Sequence, residues 1–210
     1  MTWPVTRVNV ETELAWATLA GEIKECHACK LQTECKQVVP GDGCPGTMVL
    51  FLGESPGEQE DIGGKPFMGP AGKFLHGTLK RRGIPSEETF FTNVVRCRPP
   101  DDRDPEPEEI DACWKWTKRT LALVQPKIIV TLGKYSLGAL AHRYGFSRKL
   151  GSQIKITSVA GRPVWVEDQH CYIYPMYHPA FASRSRVRRE EFDGHMRFLV
   201  ASLPGWLARP

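Results

Sequence analysis

The sequence predicts an α/β protein: a three-layer α/β/α sandwich around a four-stranded, mostly parallel sheet. Two observations carry this. Four short runs, Met48–Leu52, Phe90–Val95, Lys127–Leu132 and Cys171–Met176, read as strands, the first of them apolar enough to be fully buried. Between them lie segments of helical spacing, and strands that alternate with helices pack as a parallel sheet covered on both faces.

Taken in order, Glu11–Ile23 places Leu14, Ala15, Thr18 and Leu19 at helical spacing behind acidic residues and reads as an amphipathic helix. A cysteine-rich segment, Cys26–Cys44, leads to the first strand. Gly72–Arg82 reads as a helix stopped by Gly83 and Pro85, ahead of the second strand. Asp101–Pro107, rich in proline and charge, is a surface loop entering a helix over Glu108–Val124 that carries Cys113 and two tryptophans. The third strand closes on Gly133, with a helix over Lys134–Tyr144 behind it. Val159–Val166 around Gly161-Arg162 looks like a hairpin before the fourth strand, and a helix over Glu190–Leu203 closes the chain.

With 210 residues, 41% apolar and 25% charged, the composition suits one compact domain. The longest apolar stretch, around Met48–Leu52, is too short to span a bilayer. Met1–Val10 has no basic region followed by an apolar run, so a cytosolic protein is expected. Seven cysteines are then better explained by metal ligation than by disulfides. A net charge of +4 permits nucleic-acid binding. Its distribution says more: Arg184, Arg186, Arg188 and Arg189 crowd together, while Asp101–Asp111 is acidic.

Three motifs stand at the ends of predicted strands, where open α/β sheets place their ligands. Gly53-Glu54-Ser55-Pro56-Gly57 runs through Glu60-Asp61 to Gly64-Lys65-Pro66-Phe67-Met68-Gly69, a turn that bends back carrying carboxylates and one aromatic ring. Thr92-Asn93-Val94-Val95-Arg96-Cys97-Arg98-Pro99-Pro100 follows the second strand and Tyr177-His178-Pro179-Ala180 the fourth. Singly, each key residue has a plain alternative: Phe67 as a core ring capping the sheet, Asn93 as a strand-end backbone partner, His178 as a structural histidine. Cys26-His27-Ala28-Cys29 can hold one centre, and Cys97 and Cys113 can approach it without a long excursion. Thiolate number does not separate zinc from an iron-sulfur cluster.

Together these motifs resemble the family 4 uracil-DNA glycosylases, the iron-sulfur branch of that superfamily, over roughly Cys26–Leu199. The resemblance implies a single domain that hydrolyses the N-glycosidic bond of deoxyuridine and begins base excision repair, with Cys26, Cys29, Cys97 and Cys113 holding a 4Fe-4S cluster. It implies that Phe67 stacks on a flipped uracil and that Asn93 reads its N3–H and O4. His178 would donate to O2, where charge develops. Glu54 would line the base and position water, and Glu60 would sit near C5, where a thymine methyl falls. Ser55 stands where a related family has a water-orienting aspartate. The Ser55-Pro56-Gly57 backbone and the amides of Gly69–Gly72 offer phosphate contacts.

Phe181 is the candidate wedge into the duplex, in place of the usual leucine- or tyrosine-bearing segment, and Arg184 and Arg186 are candidate DNA contacts. Cys35 and Cys44 fit a second metal pair, a redox pair or no special role, the last favoured; Cys171 reads as a small buried hydrophobe. Expected partners are uracil-containing DNA, single- or double-stranded, and a sliding clamp or downstream repair enzymes, with the protein itself a monomer. Two rivals stand beside this: a protein of the same fold that captures DNA without turnover, and a glycosylase of altered base preference. The covalent-trapping variants carry a histidine after the asparagine strand, and Arg98–Glu106 has none.

Overall fold

A computed structural model describes residue 3 and residues 9–146 and 153–209. In chain order the elements are α1 (Val10–Lys24), β1 (Asp42–Gly43), β2 (Val49–Gly53), α2 (Glu58–Gly63), α3 (Pro70–Arg81), β3 (Phe90–Asn93), α4 (Pro107–Val124), β4 (Ile128–Leu132), α5 (Lys134–Arg143), α6 (Ile156–Val159), β5 (Val164–Val166), β6 (Cys171–Met176), α7 (Pro179–Ala182) and α8 (Arg186–Leu207).

The sheet has the order β1-β3-β2-β4-β6-β5. Its four central strands are parallel, as expected. Two short edge strands, β1 on β3 and β5 on β6, run antiparallel and raise the count from four to six. Side chains alternate across the sheet and divide the core in two. Leu50, Leu52, Ile129 and Ile173 pack with residues of α1, α4 and α5 on one face. Val49, Phe51, Val130 and Met176 pack with residues of α3 and α8 on the other. The three layers follow from that alternation.

Local chemistry sets the helix ends. Asn9 caps α1, its side chain accepting from the Thr12 N–H at 2.7 Å. Proline opens both α3 and α4, where its missing N–H costs nothing. On α4 the buried residues Glu109, Cys113, Trp116, Thr117, Thr120, Leu121 and Val124 form one stripe toward the core.

Three expectations need correction. Val159–Val166 is not a hairpin: its start belongs to α6, and Val164–Val166 pairs instead with Cys171–Ile173. The second strand ends at Asn93 rather than Val95, although Val94 and Val95 still donate to the carbonyls of Gly53 and Glu54. The last helix starts four residues earlier than Glu190, because Ser185 caps it by accepting from the Arg188 N–H at 3.2 Å.

Candidate active site at the carboxyl edge of the sheet

The parallel register brings the carboxyl ends of β2, β3, β4 and β6 to one edge: Gly53 pairs with Asn93, and Leu132 with Met176, two residues before His178. The segment leaving β2 folds over this edge and is fastened by one side chain. The Glu60 carboxylate accepts from the Gly57 N–H at 3.1 Å and, through its other oxygen, from the Gly69 N–H at 2.8 Å. Both are charge-assisted bonds to backbone donors at the two ends of the bend.

Phe67 lies in that bend with φ +58°, a left-handed conformation uncommon outside glycine. Its ring is buried edge-on to Phe91, centroids 6.0 Å apart. Glycines make room for it. A Cβ on Gly72 would lie 1.8 Å from the Phe67 carbonyl oxygen, and a Cβ on Gly53 would lie 2.7 Å from the Phe67 ring and 2.2 Å from Asn93 Oδ1. Asn93 is 3% exposed, and among the described residues no group hydrogen-bonds to its side-chain amide. A buried amide left open is normally awaiting a partner.

His178 lies two residues beyond β6, at the N-cap of α7. Its Nδ1 accepts from the Ala180 N–H at 3.3 Å, which assigns the proton of the neutral ring to Nε2. Burial, the largest influence, pulls its pKa down to about 4, partly offset by the Glu60 charge, so the ring is neutral at pH 7. Glu54 moves the other way. Burial and then the Asp104 carboxylate push it up to about 7, against the pull of Lys134. Asp104 itself accepts from the Tyr135 hydroxyl and lies 3.5 Å from Lys134 Nζ.

Glu54, Ser55, Gly57, Glu60, Phe67, Asn93 and His178 all line one cleft of about 790 Å³, with Arg184 at its margin. A second cleft of about 740 Å³ includes Lys127 and Cys171, at the opposite edge. The first is the candidate site, because it gathers the open amide, the raised carboxyl of Glu54 and the neutral imidazole of His178 at the carboxyl edge of the parallel strands. Phe181 and Arg186 are not among its lining residues. The Phe181 ring packs against Tyr177, centroids 5.5 Å apart, with the Arg188 guanidinium 5.0 Å above it. Arg186 is exposed and pairs with Glu190 at 2.8 Å.

Cys26, Cys29, Cys97 and Cys113 all belong to the core cluster on the α1/α4 face. Cys97 and Cys113 are buried, and all seven cysteines are free thiols. Burial pushes the Cys113 thiol up to about 11, with Cys26 and Cys29 adding to the rise. The Trp116 indole N–H donates to Cys26 Sγ at 2.9 Å. Cys35 joins this group, since its hydrogen bond with Cys97 lowers its own pKa and raises that of Cys97. Cys44 lies elsewhere, its N–H donating to the Thr89 carbonyl at 3.0 Å. Among the described residues, no three of His, Cys, Asp and Glu are grouped so as to hold a single ion.

Sequence reasoning set Cys35 beside Cys44, whereas it lies against Cys97, and it missed Asp104, Lys134 and Tyr135 around Glu54. The Lys134-Tyr135 pair directly after the third strand's Gly133 was the available signal.

A parallel sheet with this edge, and a cleft joining Glu54, Asn93 and His178 there, define an α/β fold with its ligand cleft at the strand ends. The chain belongs to the uracil-DNA glycosylase superfamily, whose sequence model matches residues 40–199. The type-4 uracil-DNA glycosylase of Sulfurisphaera tokodaii is 43% identical over 164 residues, covering 77% of this chain and 72% of that protein. That of Saccharolobus solfataricus is 40% identical over 188 residues, covering 88% and 85%. That of Thermotoga maritima is 37% identical over 165 residues, covering 78% and 81%. Within the superfamily the chain belongs to the type-4 uracil-DNA glycosylases.

Proposed function

We propose that this protein is a DNA glycosylase that excises uracil from DNA by hydrolysing its N-glycosidic bond, leaving an abasic site for base excision repair. The observation that carries this reading is the convergence of an open Asn93 amide and a neutral, Nε2-protonated His178 on one cleft. The Asn93 amide accepts from uracil N3–H and donates to O4, whereas cytosine offers the reverse pattern. Phe67 stacks on the flipped ring, worth about 1–3 kcal/mol. As the bond to the sugar breaks, charge gathers on O2. A neutral imidazole already aimed there stabilises the leaving base without first losing a proton.

Glu54, with its pKa near neutrality, orients the attacking water in its ionised form. Ser55 offers no carboxylate there, so leaving-group stabilisation carries more of the rate. Glu60 serves by bracing the bend, and its carboxylate stands where a thymine methyl would press. The backbones of Ser55–Gly57 and Gly69–Gly72 contact flanking phosphates. Arg184 and Arg186 add salt-sensitive affinity for the strand. Phe181 braces the segment that carries them and acts as a wedge only by leaving Tyr177.

The same reading has Cys26, Cys29, Cys97 and Cys113 hold a 4Fe-4S cluster. What supports it is four thiols in one core cluster, too widely set for a single ion, with an indole donor on one sulfur and a buried cation, Arg96, next to Cys97 in the chain. The bound cluster ties the amino-terminal segment to β3 and α4 and takes no part in the cleft's chemistry. The protein works as a monomer on its DNA. The test is purified protein with a uracil-containing oligonucleotide, followed by alkali. Strand scission at uracil alone supports the reading, and an uncut strand that stays bound supports capture without turnover.

A further inference from the structure

Arg96 is 1% exposed, the one buried Lys or Arg among the described residues, and the hydrogen-bond partners of its guanidinium are all neutral. Its guanidinium donates to the Thr92 hydroxyl, the Asn93 carbonyl and, at 3.2 Å, the Thr120 hydroxyl. Its Nε has no partner, and among the described residues no carboxylate lies within 4.0 Å of it. The comparably buried Glu109 shows the usual solution, with Arg103 and a backbone N–H on its oxygens. Buried charges are normally paired or set against a metal centre. A guanidinium stays a cation at neutral pH.

The guanidinium reaches α4 at Thr120, and the same buried stripe of that helix presents Cys113 two turns earlier, one turn before Trp116. Cys97 follows Arg96 directly in the chain. Four thiolates outweigh the positive charge of one zinc ion or of an oxidised four-iron cluster, so a centre held by these cysteines is a buried anion.

We infer that Arg96 is the internal counter-cation of the four-thiolate centre, a positioning residue whose fixed charge offsets that of the centre and whose bonds to Thr92 and Asn93 fasten it to the strand that presents the base-reading amide. This rests on the reading that Cys26, Cys29, Cys97 and Cys113 hold a metal. It accounts for a cation that has no carboxylate, and it places that cation between the two sites.

The experiment compares metal-loaded wild type, Arg96→Gln and Arg96→Lys by the rate at which a chelator strips the metal and, where the metal is iron, by the reduction potential. Arg96→Gln keeps hydrogen-bonding capacity without charge. It should lose metal at least tenfold faster, and its one-electron reduction should be at least tenfold less favourable, a shift of 59 mV or more to the negative side. Arg96→Lys keeps the charge and should stay within about threefold of wild type on both readouts. A Gln variant that matches wild type overturns the inference, as does a Lys variant that fails like Gln, because the forked hydrogen bonds would then be what matters. If Arg96→Gln does not accumulate, Arg96→Lys decides by the same criterion. Wild-type protein purified without metal refutes the centre itself and this inference with it; metal-loaded wild type with indifferent variants refutes this inference alone.

Discussion

Gly53 and Asn93 face each other across β2 and β3 so closely that a single methyl on the glycine would lie 2.2 Å from the asparagine Oδ1. No rotamer of a β-carbon avoids that contact, because Cβ is fixed by the backbone. Gly53→Ala should therefore displace the amide and the Phe67 ring together. Excision should fall by at least about 10², while the overpacking costs about 1–3 kcal/mol of stability. Steady-state kinetics with a thermal melt separates the two; a stable Gly53→Ala protein with full activity would remove the amide from the reading of the base.

Asn93 and His178 should fail differently. Asn93→Asp replaces a donor with an acceptor and should lose uracil, with weak cytosine excision as the gain. His178→Ala removes a donor to an oxygen that becomes charged only in the transition state. It should lower the single-turnover rate by about 10²–10³ and leave uracil-DNA binding nearly intact. Loss of binding in step with rate would count against leaving-group stabilisation.

Glu54 predicts the pH profile. Its folded pKa of about 7 lies above the ordinary 4.5, so its water-orienting form appears as pH rises through 7, and the saturated rate should rise over the same interval. Glu54→Gln should flatten that limb. The stability linkage has the opposite sense: the folded state holds this proton more tightly than the unfolded chain, so the contribution is full below 4.5 and is lost as pH climbs toward 7. His178, depressed from 6.5 to about 4, contributes stability above 6.5 that is lost as pH falls toward 4. Denaturant melts of the wild type and the two variants across pH 4–8 resolve both trends.

The purified protein should be brown and contain iron and sulfide. Cys113→Ala should reduce soluble yield before it alters any kinetic constant, because the thiol lies in the core between α4 and β3. Stoichiometric zinc without iron, in anaerobically prepared material, would replace the cluster with a zinc site.

Arg184 and Arg186 are exposed and should act on encounter. Changing both to Ala should weaken DNA binding and reduce the slope of log affinity against log salt by about 1 to 2, with little change in the single-turnover rate. A collapsed saturated rate at unchanged affinity would draw these side chains into the chemistry.

The legible parts of this molecule were those with a period or a fixed spacing. The parallel strands announced themselves as apolar runs, Cys171–Met176 to the residue. All seven base-binding candidates share one cleft because each hangs on a strand end or on the bend over it. β1 and β5 were missed because two or three residues carry no alternation, and Gly161-Arg162 was misread because a turn signal does not say which strand it serves. The enclosure of Arg96, the Cys35–Cys97 pairing and the Asp104–Tyr135 contact were invisible for another reason. Each gains its meaning from a partner distant in sequence or from its enclosure, and no local pattern encodes either.

The carboxylate of Glu60 grips both ends of the bend before any DNA arrives. The segment over the cleft has thus surrendered its conformational freedom at folding, and an incoming base meets a receptacle of fixed shape. Admission then resembles a gauge more than a clasp: a ring with an extra substituent gains no relief from the bend yielding, since yielding strips a carboxylate of two backbone donors at once. On the proposed reading, discrimination against bulkier bases would be settled at the threshold, ahead of the chemical step.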